Sequence, residues 1–295
     1  MSILITGATG HVGSYLLPRI ADAGLVDEVT CLVRSTSHRR PPTPSGLSVR
    51  LTPGDTTTVD GWLPALSECA WRTIVHMVHL THVVPLLDAL HESNQRPHLV
   101  VIGTTGVHSR YRQAAARYLR AQEVLFQYEG PWCLLRPTLI YGSPRDRNMT
   151  RLIRFCSRWG FFWMFGSGRS LLQPVHADDV AGAVAAAVER RAEGVYDLSG
   201  DRPITYRDLL SLTSELLGKP VRQVRLPVWL GVPVAAALER ALGTWSPVKR
   251  EQILRLQEDK AFDHEAATRS LGFAPRSLEA GLQEQIELMR RDHLI

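Results

Sequence analysis

Residues 3–13 read ILITGATGHVG, a short apolar run that passes directly into glycines at Gly7, Gly10 and Gly13. Met1–Ile5 is expected to form a buried strand, and His11–Ala23 an amphipathic helix with Val12, Tyr15, Leu16 and Ile20 on its apolar side. Glycines at such a junction let the backbone approach a pyrophosphate, whose charge then rests on the positive helix N-terminus. It is the strand-to-helix context, more than the glycine spacing, that points to a dinucleotide site. Gly7, Thr9, Gly10, His11, Val12 and Gly13 are its expected first contacts.

Outward from this stretch, the pattern alternates. Strands are expected at Glu28–Val33, Ser48–Leu51, Thr73–Val78 and His98–Gly103, a helix at Gln113–Tyr128 and a strand at Trp132–Arg136. That alternation predicts an α/β chain, a Rossmann-type doubly wound parallel sheet with ligands at the carboxyl ends of its strands. Ser35–Gly46, rich in Pro, Ser and Arg, reads as a loop. From Ser143 the pattern is irregular: an aromatic stretch, a helix at Val180–Glu189, a strand at Val195–Ser199, then more helices. Residues 1–142 are expected to bind the nucleotide, with 174–200 returning to that domain, and 143–295 to form mainly a smaller substrate lobe.

Composition narrows the function classes. A chain of 295 residues with 21% charged and 44% apolar side chains suits a soluble globular protein. The net charge of +5 comes from arginine, since lysine occurs only at Lys219, Lys249 and Lys260. There is no basic tail and no nucleic-acid motif, so no nucleic-acid partner is expected. Arg147, Arg151, Arg154 and Arg158 fall along one helical face, opposite Leu152, Phe155 and Trp159, and read as a solvated face. No apolar run reaches membrane-span length and no basic signal-peptide start is present. The expectation is a cytoplasmic protein, off the membrane, with nothing preceding the fold; its oligomeric state stays open. Cys31, Cys69, Cys133 and Cys156 form no CxxC pair, and Cys31 and Cys133 sit in predicted strands as small buried residues. His76, His79 and His82 have ligand-like spacing but no carboxylate or cysteine beside them, so no metal is expected.

Which nicotinamide cofactor the site would prefer follows from the second strand. An acid at its end would hold the ribose hydroxyls. The segment EVTCLVRSTSHRR instead places Arg34 there, with Arg39 and Arg40 beyond and no acid before Arg50. A guanidinium pairs well with an extra phosphate, so NADP(H) is preferred and NAD(H) is the alternative.

TGATGHVG, VHM, VVIGTTG, LLRPTLIYG, LQPVHADDVAGAV and LGFAPRSLEAGL together resemble the extended short-chain dehydrogenase/reductases, over nearly the whole chain. The resemblance implies a cofactor domain and a C-terminal substrate lobe. It puts Asp55, in PGDTTT, at the adenine, and Pro137, Thr138 and Leu139 against the nicotinamide, and it counts His76 among the cofactor contacts. His176, in VHADD, falls between the lobes and reads as structural.

The departure from that family is more telling. Catalytic members carry Tyr-x-x-x-Lys on the helix after the fifth strand, yet no lysine precedes Lys219 here. Tyr111 is followed four residues later by Ala115, and Tyr118 by Gln122. Aligning Glu123 with the family's glutamate puts Ala115 and Leu119 at the pair's positions, and this register needs fewer gaps; the other keeps Tyr118 with Gln122. Thr104 matches the family's polar residue after the fifth strand, with Thr105 beside it, and His108, Ser109 and Tyr111 are nearby proton sources. Thr104, Thr105 and His108 are the catalytic candidates. Tyr111, Trp159, Phe162 and Trp163 are the substrate candidates, because RWGFFWMFG suits a wide apolar cleft. The expected activity is NADPH-dependent reduction of a small-molecule aromatic ketone, a polycyclic polyketide of antibiotic biosynthesis. A phenol beside the ketone could lend the proton. A cofactor sensor and a structural subunit are the competing readings.

Overall fold

The computed structural model describes residues 2–242 and 250–295. Its first half lays down β1 (Ile3–Thr6), β2 (Glu28–Val33), β3 (Ser48–Pro53), β4 (Thr73–His76), β5 (His98–Ile102) and β6 (Trp132–Pro137). Between them run α1 (Gly13–Asp22), α2 (Leu63–Glu68), α3 (Val83–Glu92) and α4 (Arg112–Phe126). The second half holds β7 (Ile140–Tyr141), α5 (Met149–Trp159), β8 (Phe161–Phe165), β9 (Leu171–Leu172) and β10 (Val175–His176). It continues with α6 (Ala177–Glu189), β11 (Gly194–Leu198), β12 (Ile204–Thr205), α7 (Tyr206–Leu217) and β13 (Arg222–Leu226), and ends with α8 (Val228–Leu242), α9 (Arg250–Arg255), α10 (Glu265–Leu271) and α11 (Leu278–Arg291).

Seven strands form one parallel sheet in the order β11-β6-β5-β4-β1-β2-β3, as the sequence predicts for this fold class. Strands covered on both faces should read as continuous apolar runs, and every residue of β1 and β5 is buried. At the edge, β3 alternates exposed and half-buried positions over most of its length. The order in which strands are added reverses between β1 and β4, so a crevice opens at their carboxyl ends.

One face of the sheet buries Ile5, Leu16, Ile20, Val184 and Val188 from β1, α1 and α6, together with Ala267, Leu271 and Phe273 from the end of the chain. The other packs Leu4, Trp62, Leu86, Val101 and Leu125. Truncating such a side chain to alanine costs about 2–5 kcal/mol. Cys31 and Cys133 lie inside the first core, as their strand positions predict. A third core joins α5, α7 and α11 through Ile153, Leu210 and Ile286. The aromatic run is itself a strand: β8 pairs in parallel with β13, from Phe161 opposite Arg222 to Phe165 opposite Leu226.

Candidate active site

The turn after β1 needs its glycines for space. Gly7 has φ +79°, and a Cβ there would stand 2.7 Å from the Met77 carbonyl oxygen. A Cβ on Gly13 would overlap the carbonyl oxygens of both Gly7 and Ala8. Beyond the turn, α1 begins with no side-chain cap and no acid in its first turn; Ser14 N and Tyr15 N donate to Gly10 O and Val12 O, so an anion would meet the N–H groups before them at the positive end of the helix. Burial lowers the His11 pKa to about 4, so the imidazole beside this turn is neutral near pH 7. This cradle fits a pyrophosphate.

Two clefts lie at the carboxyl ends of the sheet. The first, about 290 Å³, opens beyond β1, β2 and β3 and is lined by Gly7, Thr9, Arg34, Ser37, Asp55 and His82 among others. Arg34 stands at the end of β2, where the sequence predicts it. Asp55 accepts from Thr57 N (2.9 Å) and Thr57 Oγ1 (2.8 Å), which hold its carboxyl below the usual carboxylate range. It both builds its turn and lines the cleft.

The second cleft, about 530 Å³, opens beyond β5 and β6. Thr104 caps the turn that follows β5: its Oγ1 accepts from Gly106 N at 3.0 Å, and its own proton stays available to a ligand. Thr105 differs. It lines the same cleft but is buried, and its hydroxyl donates to Pro137 O at 3.3 Å, which ties the turn to β6. His108 lines the cleft with Nε2 3.7 Å from Asp197 Oδ2, while the other oxygen of Asp197 accepts from Arg136 Nε at 2.6 Å. Tyr111, Thr138 and Leu139 line the same cleft. Pro137 ends β6 just before them.

The far wall comes from residues 255–262, which the sequence reading did not single out. Glu258 accepts from Ser109 Oγ (2.9 Å) and Arg110 N (2.7 Å), clamping this segment to the loop after β5. Asp259 accepts from Leu171 N at 2.8 Å, and Lys260 Nζ donates to Arg255 O at 2.9 Å. No spacing pattern links these residues to Thr104; only the tertiary fold does.

Four expectations need correction. His76 is wholly buried, with Nδ1 3.2 Å from Thr6 Oγ1 and its ring against Trp62, so it joins β1 to β4 inside the sheet and reaches neither cleft. Trp159 is 57% exposed and lines neither cleft. Phe162 and Trp163 line a separate hollow of about 240 Å³ with Met164, Phe165, Tyr206 and Ile253. The reason is the β8–β13 pairing, which places the aromatic strand apart from Thr104; the apolar part of the Thr104 cleft comes from Tyr111, Leu139 and Phe262 instead. As for the alternative dyad register, Tyr118 OH stands 3.3 Å from His79 Nε2 and Gln122 is buried, and neither lines the cleft.

His176 is buried and structural: its Nδ1 accepts from Asp178 N (3.2 Å) and caps α6. Among the described residues, His176, Asp178 and Asp179 bring three possible metal-ligand atoms together, but Arg276 engages both carboxylates and Arg19 also binds Asp178. No described helix is long and apolar enough to cross a membrane.

Comparison with known proteins agrees with this fold. The chain is 29% identical over 170 residues to short-chain dehydrogenase/reductase family 42E member 1 of Mus musculus, covering 52% of this chain and 43% of that protein. It thus spans less than half the length of that relative. It is 26% identical over 261 residues to a Streptomyces 3-diazoavenalumate denitrifying reductase, covering 75% of this chain and 83% of that one. Its fold matches a Thermus thermophilus UDP-glucose 4-epimerase solved with NAD, with a TM-score of 0.70 at 18% identity over 98% of this chain and 99% of that one. Residues 3–117, which include the whole glycine cradle and reach past Thr104, match the NAD dependent epimerase/dehydratase family.

Proposed function

We propose that the protein is an NADPH-dependent reductase acting on a ketone of a polycyclic aromatic polyketide, angucyclinone-like, in antibiotic biosynthesis, and that it works without a Tyr–Lys pair. One observation carries the reading. A glycine cradle with Arg34 beside it and a cleft with the Thr104 hydroxyl lie at the carboxyl edge of one sheet, where a dinucleotide would span from one to the other. A Streptomyces relative whose name is that of a reductase favours reduction over epimerisation.

The bound dinucleotide, when reduced, supplies a hydride to the carbonyl carbon. Thr104 gives a hydrogen bond from its free O–H to the carbonyl oxygen and keeps its proton, polarising the carbonyl and stabilising the charge that develops there. Thr105 and Glu258 hold the turn that carries Thr104 and Ser109. The alkoxide then takes a proton from a phenol next to it on the substrate, a downhill transfer because a phenol (about 10, like tyrosine) is far more acidic than an alcohol. His108, backed by Asp197, is the protein's own alternative donor. Arg34 favours the phosphorylated dinucleotide.

The purified protein, given NADPH and a polycyclic aromatic ketone with a neighbouring phenol, should form the alcohol. The methyl ether of that phenol should react at least about tenfold more slowly. Equal rates would move the proton donor to His108 or water. Tight NADPH binding with no turnover on either ketone would make the chain a cofactor sensor, the reading that the missing dyad otherwise favours.

A further inference from the structure

The cleft at Thr104 is lined by the cations Arg110, Arg255 and Lys260 and by the acids Glu258 and Asp259. These charges are not equally engaged. Glu258 accepts from Ser109 Oγ and Arg110 N, and Asp259 from Leu171 N, so both carboxylates hold the wall together. Lys260 Nζ gives one hydrogen bond, to Arg255 O, and retains two N–H groups. Arg255 Nε is buried with no hydrogen-bond partner among the described residues, the nearest carboxylate being Glu258 Oε2 at 3.9 Å. A buried donor on a charged group is costly to leave unmade. Burial also draws the Lys260 pKa down, as does Arg255, with Glu258 opposing.

Arg255 stands at the turn that Thr104 caps, and Lys260, bonded to the Arg255 carbonyl, lines the same cleft. Arg255 Nη2 lies 4.0 Å from where a Cβ on Gly106 would sit, and Gly106 N is the group bonded to Thr104 Oγ1. An anion placed there would relieve both side chains at once, through a planar fork from Arg255 and a point charge from Lys260. We infer that the substrate carries a carboxylate, which Lys260 and Arg255 hold in the cleft beside the Thr104 turn. The inference rests on reading this cleft as the substrate side of a reductase. It narrows the aromatic ketone to one bearing an acid, and it gives Lys260 a binding role although it lies far from the family's lysine position.

The test is calorimetry with 6-hydroxy-2-naphthoate and its methyl ester, on the protein alone and saturated with NADPH. The acid should bind at least about tenfold more tightly than the ester. Lys260→Gln, which keeps a donor for Arg255 O, and separately Arg255→Gln should each remove most of that preference. Lys219→Met, at an exposed lysine outside the cleft, should leave it intact. Equal binding of acid and ester, or an unchanged preference in both glutamine variants, overturns the inference. Neither probe is a ketone, so the outcome is independent of turnover. Acid preference without reduction of any ketone would count against the reductase alone, and reduction of ketones without acid preference would count against the carboxylate alone.

Discussion

The two clefts at the carboxyl edge of the sheet are built in opposite ways. The one beside the glycine cradle is lined by residues 7–82, and its shape follows from short local rules: no Cβ at Gly7 or Gly13, an uncapped helix start, a cation at a strand end. The one beside Thr104 is closed by Glu258, whose partner Ser109 lies 149 residues away along the chain. In the proposed reductase the first is a backbone mould for a feature that all dinucleotides share. The second is a side-chain assembly, and side chains at its far wall can change without disturbing the mould. In the proposed reductase, cofactor recognition and substrate recognition are therefore separable by mutation.

The sharpest way to break that comparison is Gly13→Ala. The added methyl meets the Gly7 and Ala8 carbonyls, and NADPH affinity should fall about a hundredfold or more, read by nicotinamide fluorescence. Retained affinity would mean the cradle is not the cofactor site. In the other cleft, Thr104→Ala should lower kcat about tenfold to a hundredfold while NADPH affinity holds. Thr105→Ala should leave kcat nearly intact and cost about 1 kcal/mol of stability, since its proton serves Pro137 O. Arg34→Ala should weaken NADPH about tenfold and leave NADH unchanged; an equal loss for both would give Arg34 no part in choosing the phosphorylated form.

The smallest effect is on acid stability. Burial lowers His11 and His176 to about 4 from an ordinary 6.5. Between those values the unfolded chain binds more protons than the folded one. Stability is thus fully present above about pH 6.5 and is lost as the pH falls toward 4. His176→Asn, which can still cap α6, should flatten the fall of Tm across that window. An unchanged slope would remove His176 from the account.

What the sequence made legible follows the same division. The strands of the sheet could be read from apolar runs such as LVV in β5 and from the glycines, because burial on both faces leaves a local imprint. The helices α2 and α3 went unread: LPALSE is too short for a period, and α3 carries Pro85 in its first turn. Arg34 and Thr104 could be placed because each stands where a strand ends. The aromatic run Phe161–Phe165 misled, since aromatic density signals burial or a binding surface equally well, and its pairing with β13 places it at another hollow. His76 misled because a strand end can point inward as well as outward. Arg255 and Lys260 carried no sequence signal, since only the tertiary fold, through the Glu258–Ser109 contact, brings their segment to the cleft at Thr104.

The central claim is that the two clefts are halves of one reductase site. It is tested most directly with NADPH deuterated at the transferable C4 position and a polycyclic aromatic ketone bearing a neighbouring phenol. The account predicts deuterium at the new carbinol carbon, with the rate of its transfer cut by Thr104→Ala. Tight binding of NADPH with no deuterium in any product would contradict it.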